Sequence, residues 1–166
     1  RRLNESQPSH VIKQIKKISL NKKWDKKLKI SILGLAFKGI PETDDLRGTM
    51  AIPLIKAIKK EYPNSRIYGY DQFVSESKIK KLGIKYNNSI RSAMKDASLV
   101  IIANNHPEFQ KFNVSENTYL MKHHSIVYDF WNTMDYNQTN FAEHVHYFCL
   151  GNFKLCLAML EKNNQT

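Results

Sequence analysis

The sequence lacks the features of membrane-spanning, secreted and disulfide-rich proteins. No apolar run approaches the ~20 residues that a transmembrane helix requires, and no stretch has the character of a signal peptide. Its two cysteines, Cys149 and Cys156, form no CxxC pair, so we expect both to be reduced core residues of a cytoplasmic protein that does not contact a membrane. Because the chain begins with Arg1 rather than Met, we expect a piece of something longer.

Acidic residues are too few to balance the basic ones, and the formal net charge is +11. The excess is concentrated in residues 1–27, where nine Lys or Arg residues face only Glu5 and Asp25; residues 28–166 carry seventeen against thirteen acids. No motif of a nucleic-acid-binding module is present. A basic leading segment is more often a solvated helix face than a phosphate groove, so no nucleic-acid partner is expected.

Glycine is also scarce, and the dinucleotide-binding fingerprint G-x-G-x-x-G is missing. After Gly34 come Leu35, Ala36 and Phe37, and Gly39 falls at the wrong spacing. The first strand-to-helix turn is therefore not built to bring a pyrophosphate against bare backbone.

From Leu28 onward, strand patterns alternate with helix patterns. The strand candidates are LKISILGLA, SRIYGYD, IKYN, SLVIIANNH, HSIVYDFW and HVHYFCLG. Buried strands separated by helices predict a parallel sheet covered on both faces, and right-handed crossovers make it doubly wound. We therefore expect an α/β, Rossmann-like fold over residues 28–166, with a helical tail around NFKLCLAMLEKN.

A separate helix is predicted before the sheet, within residues 1–27. Val11, Ile12, Ile15 and Ile18 recur at helical spacing, and Ser6 could cap the helix just before Pro8. The opposite face is lysine. Since a lone helix cannot bury such a stripe, we expect it to need a partner outside this domain or across a dimer.

The stretch ILGLAFKGIPETDDLRGTM places Lys38, Asp44, Asp45 and Arg47 in one strand-to-helix connection. In a doubly wound sheet, ligands bind at the carboxyl ends of strands, where a helix N-terminus also attracts anions. Lys38 and Arg47 could bind a phosphate or carboxylate, while the aspartates cap the helix and hold Arg47. The alternative is a surface ion network without a ligand.

The same stretch resembles the signature that opens the C-terminal domain of the UDP-glucose/GDP-mannose dehydrogenase family, G-x-A-F-K…D-D-x-R-x-S/T. RRLNESQP is similar to the end of that family's central helical dimerisation region, and VYDFWN to its late strand. The resemblance implies a nucleotide-sugar-binding domain of an NAD-dependent enzyme that oxidises the C6 alcohol of a UDP-sugar to a carboxylate. It implies as partners the UDP-sugar, the enzyme's own N-terminal NAD-binding domain and a second copy in a homodimer.

The resemblance also implies roles for individual residues. The substrate-binding residues would be Phe37, Lys38, Asp44, Asp45, Leu46 and Trp131, and the cofactor-binding residue would be Arg47. Trp131 stands where the family often has arginine or lysine, which leaves the contact made there open. The long loop GIPETDDL is similar to that of relatives acting on N-acetylated sugars, although glucose, N-acetylglucosamine and N-acetylmannosamine, and UDP or GDP, stay open.

The family's NAD fingerprint and its catalytic thiol in a GGxC segment are both missing from this sequence. Cys149 stands in an apolar strand without flanking glycines. We therefore predict no catalytic residue here and no turnover by this chain alone. A free-standing, non-catalytic nucleotide or nucleotide-sugar binding module is the alternative function.

Three further groups of residues are candidates for ligand contacts. His144 and His146 could share one face of a strand as metal ligands, but no third ligand is evident, so no metal site is predicted. Asp71, ending the second strand, could bind a ribose or cap a loop. Asn104, Asn105 and His106 could line the ligand cleft or turn the chain before Pro107.

Overall fold

The computed structural model describes residues 2–20, 24, 27–134 and 140–151. Its helices are α1 (Arg2–Leu20), α2 (Ala51–Glu61), α3 (Glu76–Lys81), α4 (Ile90–Met94) and α5 (Glu108–Lys111), with one 3-10 turn at Thr118–Leu120. Its strands are β1 (Lys29–Leu33), β2 (Arg66–Tyr70), β3 (Lys85–Tyr86), β4 (Leu99–Ile102), β5 (Ser125–Asp129) and β6 (Val145–Cys149).

The six strands form one sheet in the order β3-β2-β1-β4-β5-β6, and every pair is parallel. The strand order reverses between β1 and β4, which creates a crevice at their carboxyl ends. The predicted α/β, Rossmann-like doubly wound fold is confirmed.

The sheet is buried on both faces, as continuous apolar strands require. All residues of β4 and β5 are buried. One hydrophobic cluster joins the sheet to α1, α2 and α3, and a second joins it to α4 and α5. Cys149 is buried in β6, so its predicted place in the core is confirmed. Cys156 and the predicted helical tail lie outside the described residues.

The prediction that the stripe of α1 needs an outside partner is wrong. Val11, Ile12, Ile15 and Ile18 are all buried, and α1 packs against α2 within the same hydrophobic cluster as the sheet. Lys16 adds an ion pair to Glu61 at 3.0 Å. The apolar surface of α2 that faces away from the sheet supplies the missing partner, so the stripe offers no exposed face for self-association.

The start of α1 also differs from the expectation. The helix begins by Arg2, so Ser6 lies inside it and is not its cap, and Pro8 is an interior residue. Pro8 is itself buried. Packing of this segment offsets the ~3 kcal/mol that a proline costs inside a helix. The division of the chain at residue 27 stays a prediction.

Packing of α1 on α2 gives a stability prediction. Ile15→Val removes one methyl group from a fully buried side chain and should lower the free energy of unfolding by about 0.5–1.5 kcal/mol. The exposed Lys17 on the same helix provides the control, since Lys17→Gln should change stability by less than about 0.5 kcal/mol. Equal urea midpoints for both variants would show that α1 does not contribute to the core.

Candidate functional site

A cavity of about 840 Å³ opens at the carboxyl edge of the sheet, beside the point where the strand order reverses. It lies between the loop after β1, the first turns of α2, and the residues that follow β4 and β5. Its lining residues are Phe37, Lys38, Ile40, Gly48, Thr49, Met50, Ile52, Pro53, Lys56, Ala103, Asn105 and Trp131. The volume is that of a typical small-molecule site.

The charge of this cavity is positive. Lys38 and Lys56 line it and make no ion pair or hydrogen bond within the described residues, and none of its lining residues is acidic. An unpaired ammonium group beside apolar walls favours an anionic ligand, and two such groups suit a ligand with more than one negative charge.

Asp71 fixes the loop that carries Lys38 into the cavity. Its carboxylate accepts hydrogen bonds from four backbone amides: Leu35 at 2.7 Å, Ala36 at 2.9 Å, Phe73 at 2.9 Å and Val74 at 3.1 Å. The side chain therefore ties the turn after β1 to the turn after β2. This arrangement supports the loop-cap reading of Asp71 rather than ribose binding, because its oxygens are already occupied.

Gly34 allows the turn after β1 to form. Its φ is +82°, and a Cβ there would lie 2.2 Å from Oδ1 of Asn104. Glycine is thus required both by the left-handed backbone and by the close approach of the Asn104 side chain.

Trp131 forms one wall of the cavity although it is 46% exposed. Its indole Nε1–H donates to the carbonyl of Ala103 at 3.0 Å, and its backbone amide donates to Asp129 at 2.8 Å. Asp129 is fully buried and also accepts hydrogen bonds from the backbone amide and hydroxyl of Thr133. The ring is consequently held in one orientation before any ligand arrives.

The structure divides the predicted substrate-binding residues and the predicted cofactor-binding Arg47 between two concavities. Phe37, Lys38 and Trp131 meet in the cavity. A second, shallower groove of about 540 Å³ is lined by residues of α3 and the adjoining turn and by the other four predicted residues, Asp44, Asp45, Leu46 and Arg47.

Asp45 holds Arg47 as expected. Nε of Arg47 donates to both oxygens of Asp45, at 3.0 and 3.1 Å, and its terminal nitrogen donates to one of them at 2.8 Å. Asp44 instead pairs with Lys78 of α3. The expectation that these aspartates cap α2 is wrong: a turn from Leu46 to Thr49 separates them from the helix, and neither contacts its first amides.

The Arg47 side chain, by donating to the carboxylate of Asp45, lowers the pKa of Asp45 to about 2, and the backbone amide of Arg47 adds to the effect. A lowered pKa stabilises the fold above the pKa of the unfolded state, and this contribution disappears as the pH falls through about 2. Asp45 therefore stays ionised, and able to accept the hydrogen bonds of Arg47, throughout the physiological pH range.

Removal of the Arg47 side chain should raise the pKa of Asp45 toward its ordinary value. Carbon-13 NMR of the Asp45 carboxyl group would measure the titration midpoint in Arg47→Ala. Lys78→Ala is the control: it should move this midpoint less, because Lys78 is the weakest influence on Asp45. An unchanged midpoint in Arg47→Ala would contradict the contact.

Lys56 is the cavity residue that sequence reasoning missed. It lies one helical turn after Pro53 and therefore shares a face of α2 with Ile52 and Pro53, which also line the cavity. The spacing could have revealed it once the start of α2 was placed at the ligand edge.

The predicted histidine pair lies at the start of β6. His144 precedes β6, and its ring lies 4.6 Å from that of His123. Among the described residues, no group of three or more His, Cys, Asp or Glu side chains could hold a metal ion. None of the described helices is long and apolar enough to cross a membrane.

Comparison with known proteins gives the family. The pattern of the UDP-glucose/GDP-mannose dehydrogenase family, UDP binding domain, matches residues 31–136, which is more than half of the chain. The chain belongs to this family. Its cavity and the loop that carries Lys38 both lie within the matched region.

Individual relatives agree with the match. The chain is 32% identical over 156 residues to the UDP-glucose 6-dehydrogenase of Rickettsia conorii, covering 89% of this chain and 33% of that protein. It is 30% identical over 98 residues to the UDP-N-acetyl-D-mannosamine dehydrogenase of Pyrococcus horikoshii, covering 59% of this chain and 20% of that protein.

A solved structure shares the fold. The UDP-N-acetyl-mannosamine dehydrogenase Cap5O from S. aureus superposes with a TM-score of 0.70 at 28% identity, covering 94% of this chain and 33% of that one. The chain thus spans a third or less of the length of these relatives. It corresponds to their UDP-binding domain.

Proposed function

We propose that the cavity binds a UDP-sugar, with Lys38 paired to its phosphates. The observation that supports this is Lys38, which makes no ion pair with any described part of the chain and lines a positive, ligand-sized cavity of a UDP-binding domain. Lys56 approaches the same volume from α2 and would share the phosphate charge. Phe37 and Trp131 provide flat apolar walls against which ligand rings can pack.

We infer the sugar of the ligand from the loop length and from the relatives. We favour a UDP-N-acetylated hexosamine, since the loop between Lys38 and Arg47 is long and two of the relatives above act, by their names, on UDP-N-acetylmannosamine. UDP-glucose is the other candidate, as the Rickettsia relative is a UDP-glucose 6-dehydrogenase.

In a whole protein the chain would supply the substrate-binding part of an NAD-dependent 6-dehydrogenase that makes uronate precursors of polysaccharides. NAD accepts hydride in such a reaction and would be bound mainly by another domain, because this sequence carries neither the glycine fingerprint nor a GGxC segment. A cytoplasmic homodimer completes the proposal.

Arg47 would contact the cofactor side of such an enzyme. Its side chain is 92% exposed, yet Asp45 fixes its direction. In the full-length protein, Arg47→Ala should reduce NAD-dependent turnover several-fold and leave UDP affinity unchanged, and Arg47→Lys should not restore it because lysine lacks the planar fork. Turnover equal to that of the wild type would leave Arg47 as part of a surface ion pair.

A free-standing binding module is the second candidate. It is favoured by a complete sheet and cavity in a sequence without hydride-transfer machinery. The reading frame upstream of Arg1 separates the two: a glycine fingerprint and a GGxC segment would establish the dehydrogenase, and a nearby start codon the module.

Calorimetric titration of the purified chain with UDP tests the binding function. We expect weak but saturable binding, and no NADH production when a UDP-sugar and NAD are added. A folded sample that gives no heat with UDP at millimolar concentration would refute the site. NADH production by the chain alone would refute the division of labour between domains.

A further inference from the structure

His106 is buried beside the cavity loop with one ring nitrogen unpaired. Its ring packs between Phe73, at 5.5 Å, and Phe109, at 6.0 Å. The backbone amide of Glu108 donates to Nδ1 at 3.1 Å, so Nδ1 is an acceptor and the proton lies on Nε2. This Nε2–H is buried and has no hydrogen-bond partner among the described residues.

An unpaired buried donor is costly and uncommon in a native fold, so it requires an explanation. The nearest acid to Nε2 is Glu42, whose Oε1 lies 3.7 Å away, beyond hydrogen-bonding distance. Glu108 lies on the other side of the ring: its Oε2 is 4.0 Å from Nδ1, and its Oε1 accepts a hydrogen bond from the hydroxyl of Tyr70 at 2.6 Å.

Glu42 belongs to the loop that forms the rim of the cavity. Lys38 and Ile40 of this loop line the cavity, and Glu42 follows Ile40 by two residues. The near end of the loop is fixed, since the amide of Gly39 donates to Oδ1 of Asn105 at 3.0 Å and a Cβ on Gly39 would lie 2.2 Å from the His106 amide. The side chain of Glu42 is 57% exposed and free to approach.

We propose that His106 is a positioning residue for the UDP-sugar site. When ligand fills the cavity, residues 40–42 move by about 1 Å relative to the fixed Gly39 and Glu42 accepts the Nε2–H bond, which reaches the usual charge-assisted length. The new bond holds Ile40 and Lys38 against the ligand. This inference rests on the proposed binding of UDP in the cavity.

Two substitutions separate the two nitrogens of His106. His106→Gln retains a donor at the position of Nε2, toward Glu42, whereas His106→Asn retains only the acceptor at the position of Nδ1, toward Glu108. UDP affinity should fall about tenfold in His106→Asn and in Glu42→Ala, and should stay within about threefold of the wild type in His106→Gln and Glu42→Gln. The double variant His106→Asn/Glu42→Ala should be no weaker than either single one.

Nitrogen-15 NMR of the histidine side chain provides a readout independent of affinity. The Nε2–H signal of His106 should become protected from solvent exchange when UDP is added, and not in Glu42→Ala. Glu76→Ala, which removes an exposed ion pair of α3 with Lys80, is the control and should leave UDP affinity unchanged.

The outcomes are distinct. Equal affinities of the Gln and Asn variants of His106, or wild-type affinity of Glu42→Ala, would overturn the positioning role and indicate that water pairs with Nε2. If the wild-type chain itself does not bind UDP, the proposed function fails and this inference fails with it.

Discussion

Asp71→Ala is expected to lower the free energy of unfolding by about 3–4 kcal/mol. The substitution removes the acceptor of four backbone amides at once, including the buried amides of Leu35 and Val74. Water can reach only some of these amides, and the turns after β1 and β2 lose the carboxylate that links them.

Urea unfolding would measure this effect. Asp71→Asn keeps one carbonyl oxygen and should show a smaller loss than Asp71→Ala. The exposed Asp44 provides the control, since Asp44→Ala should change stability by less than about 0.5 kcal/mol. A loss below about 1 kcal/mol in Asp71→Ala would mean that the turns keep their shape without the carboxylate.

Lys38→Ala is expected to weaken UDP binding by about 1.5–3 kcal/mol, the range for hydrogen bonds to charged groups. Lys38 makes no competing ion pair within the described residues, so its full charge is available to a ligand phosphate. Lys38→Arg would restore charge but not the compact ammonium group, and should recover affinity only in part.

Matched lysine variants make the comparison specific. Lys56→Ala should weaken binding less than Lys38→Ala, because Lys56 approaches from an exposed position on α2. Lys60→Ala should leave UDP affinity unchanged, because the exposed Lys60 does not line the cavity. Unchanged UDP affinity in Lys38→Ala would indicate that the charged residues of this loop form only a surface ion network.

The sheet could be predicted because its strands carry the information locally. The continuous apolar runs of β1, β4 and β5 are typical of strands at the buried centre of a parallel sheet. Because helices alternate with these strands, the crossover connections are expected to be right-handed. The same reasoning placed Lys38 at the carboxyl edge, since it lies in the connection that follows β1.

Relations between distant segments were not accessible from the sequence. The stripe of α1 could not be assigned to α2, because an amphipathic helix shows which face it buries but not against what. Lys78 on α3 draws Asp44 away from the ligand edge, and the loop between Lys38 and Arg47 is long enough to serve two separate concavities.

An amide chemical-shift map of the chain titrated with UDP tests directly whether the cavity is the nucleotide-sugar site. We expect saturable shifts concentrated around the cavity, at residues 37–40, 48–56, Asn105 and Trp131, with little change around His123 and His144. Shifts confined to another surface, or no shifts at saturating UDP on a folded sample, would contradict the assignment of this cavity as the nucleotide-sugar site.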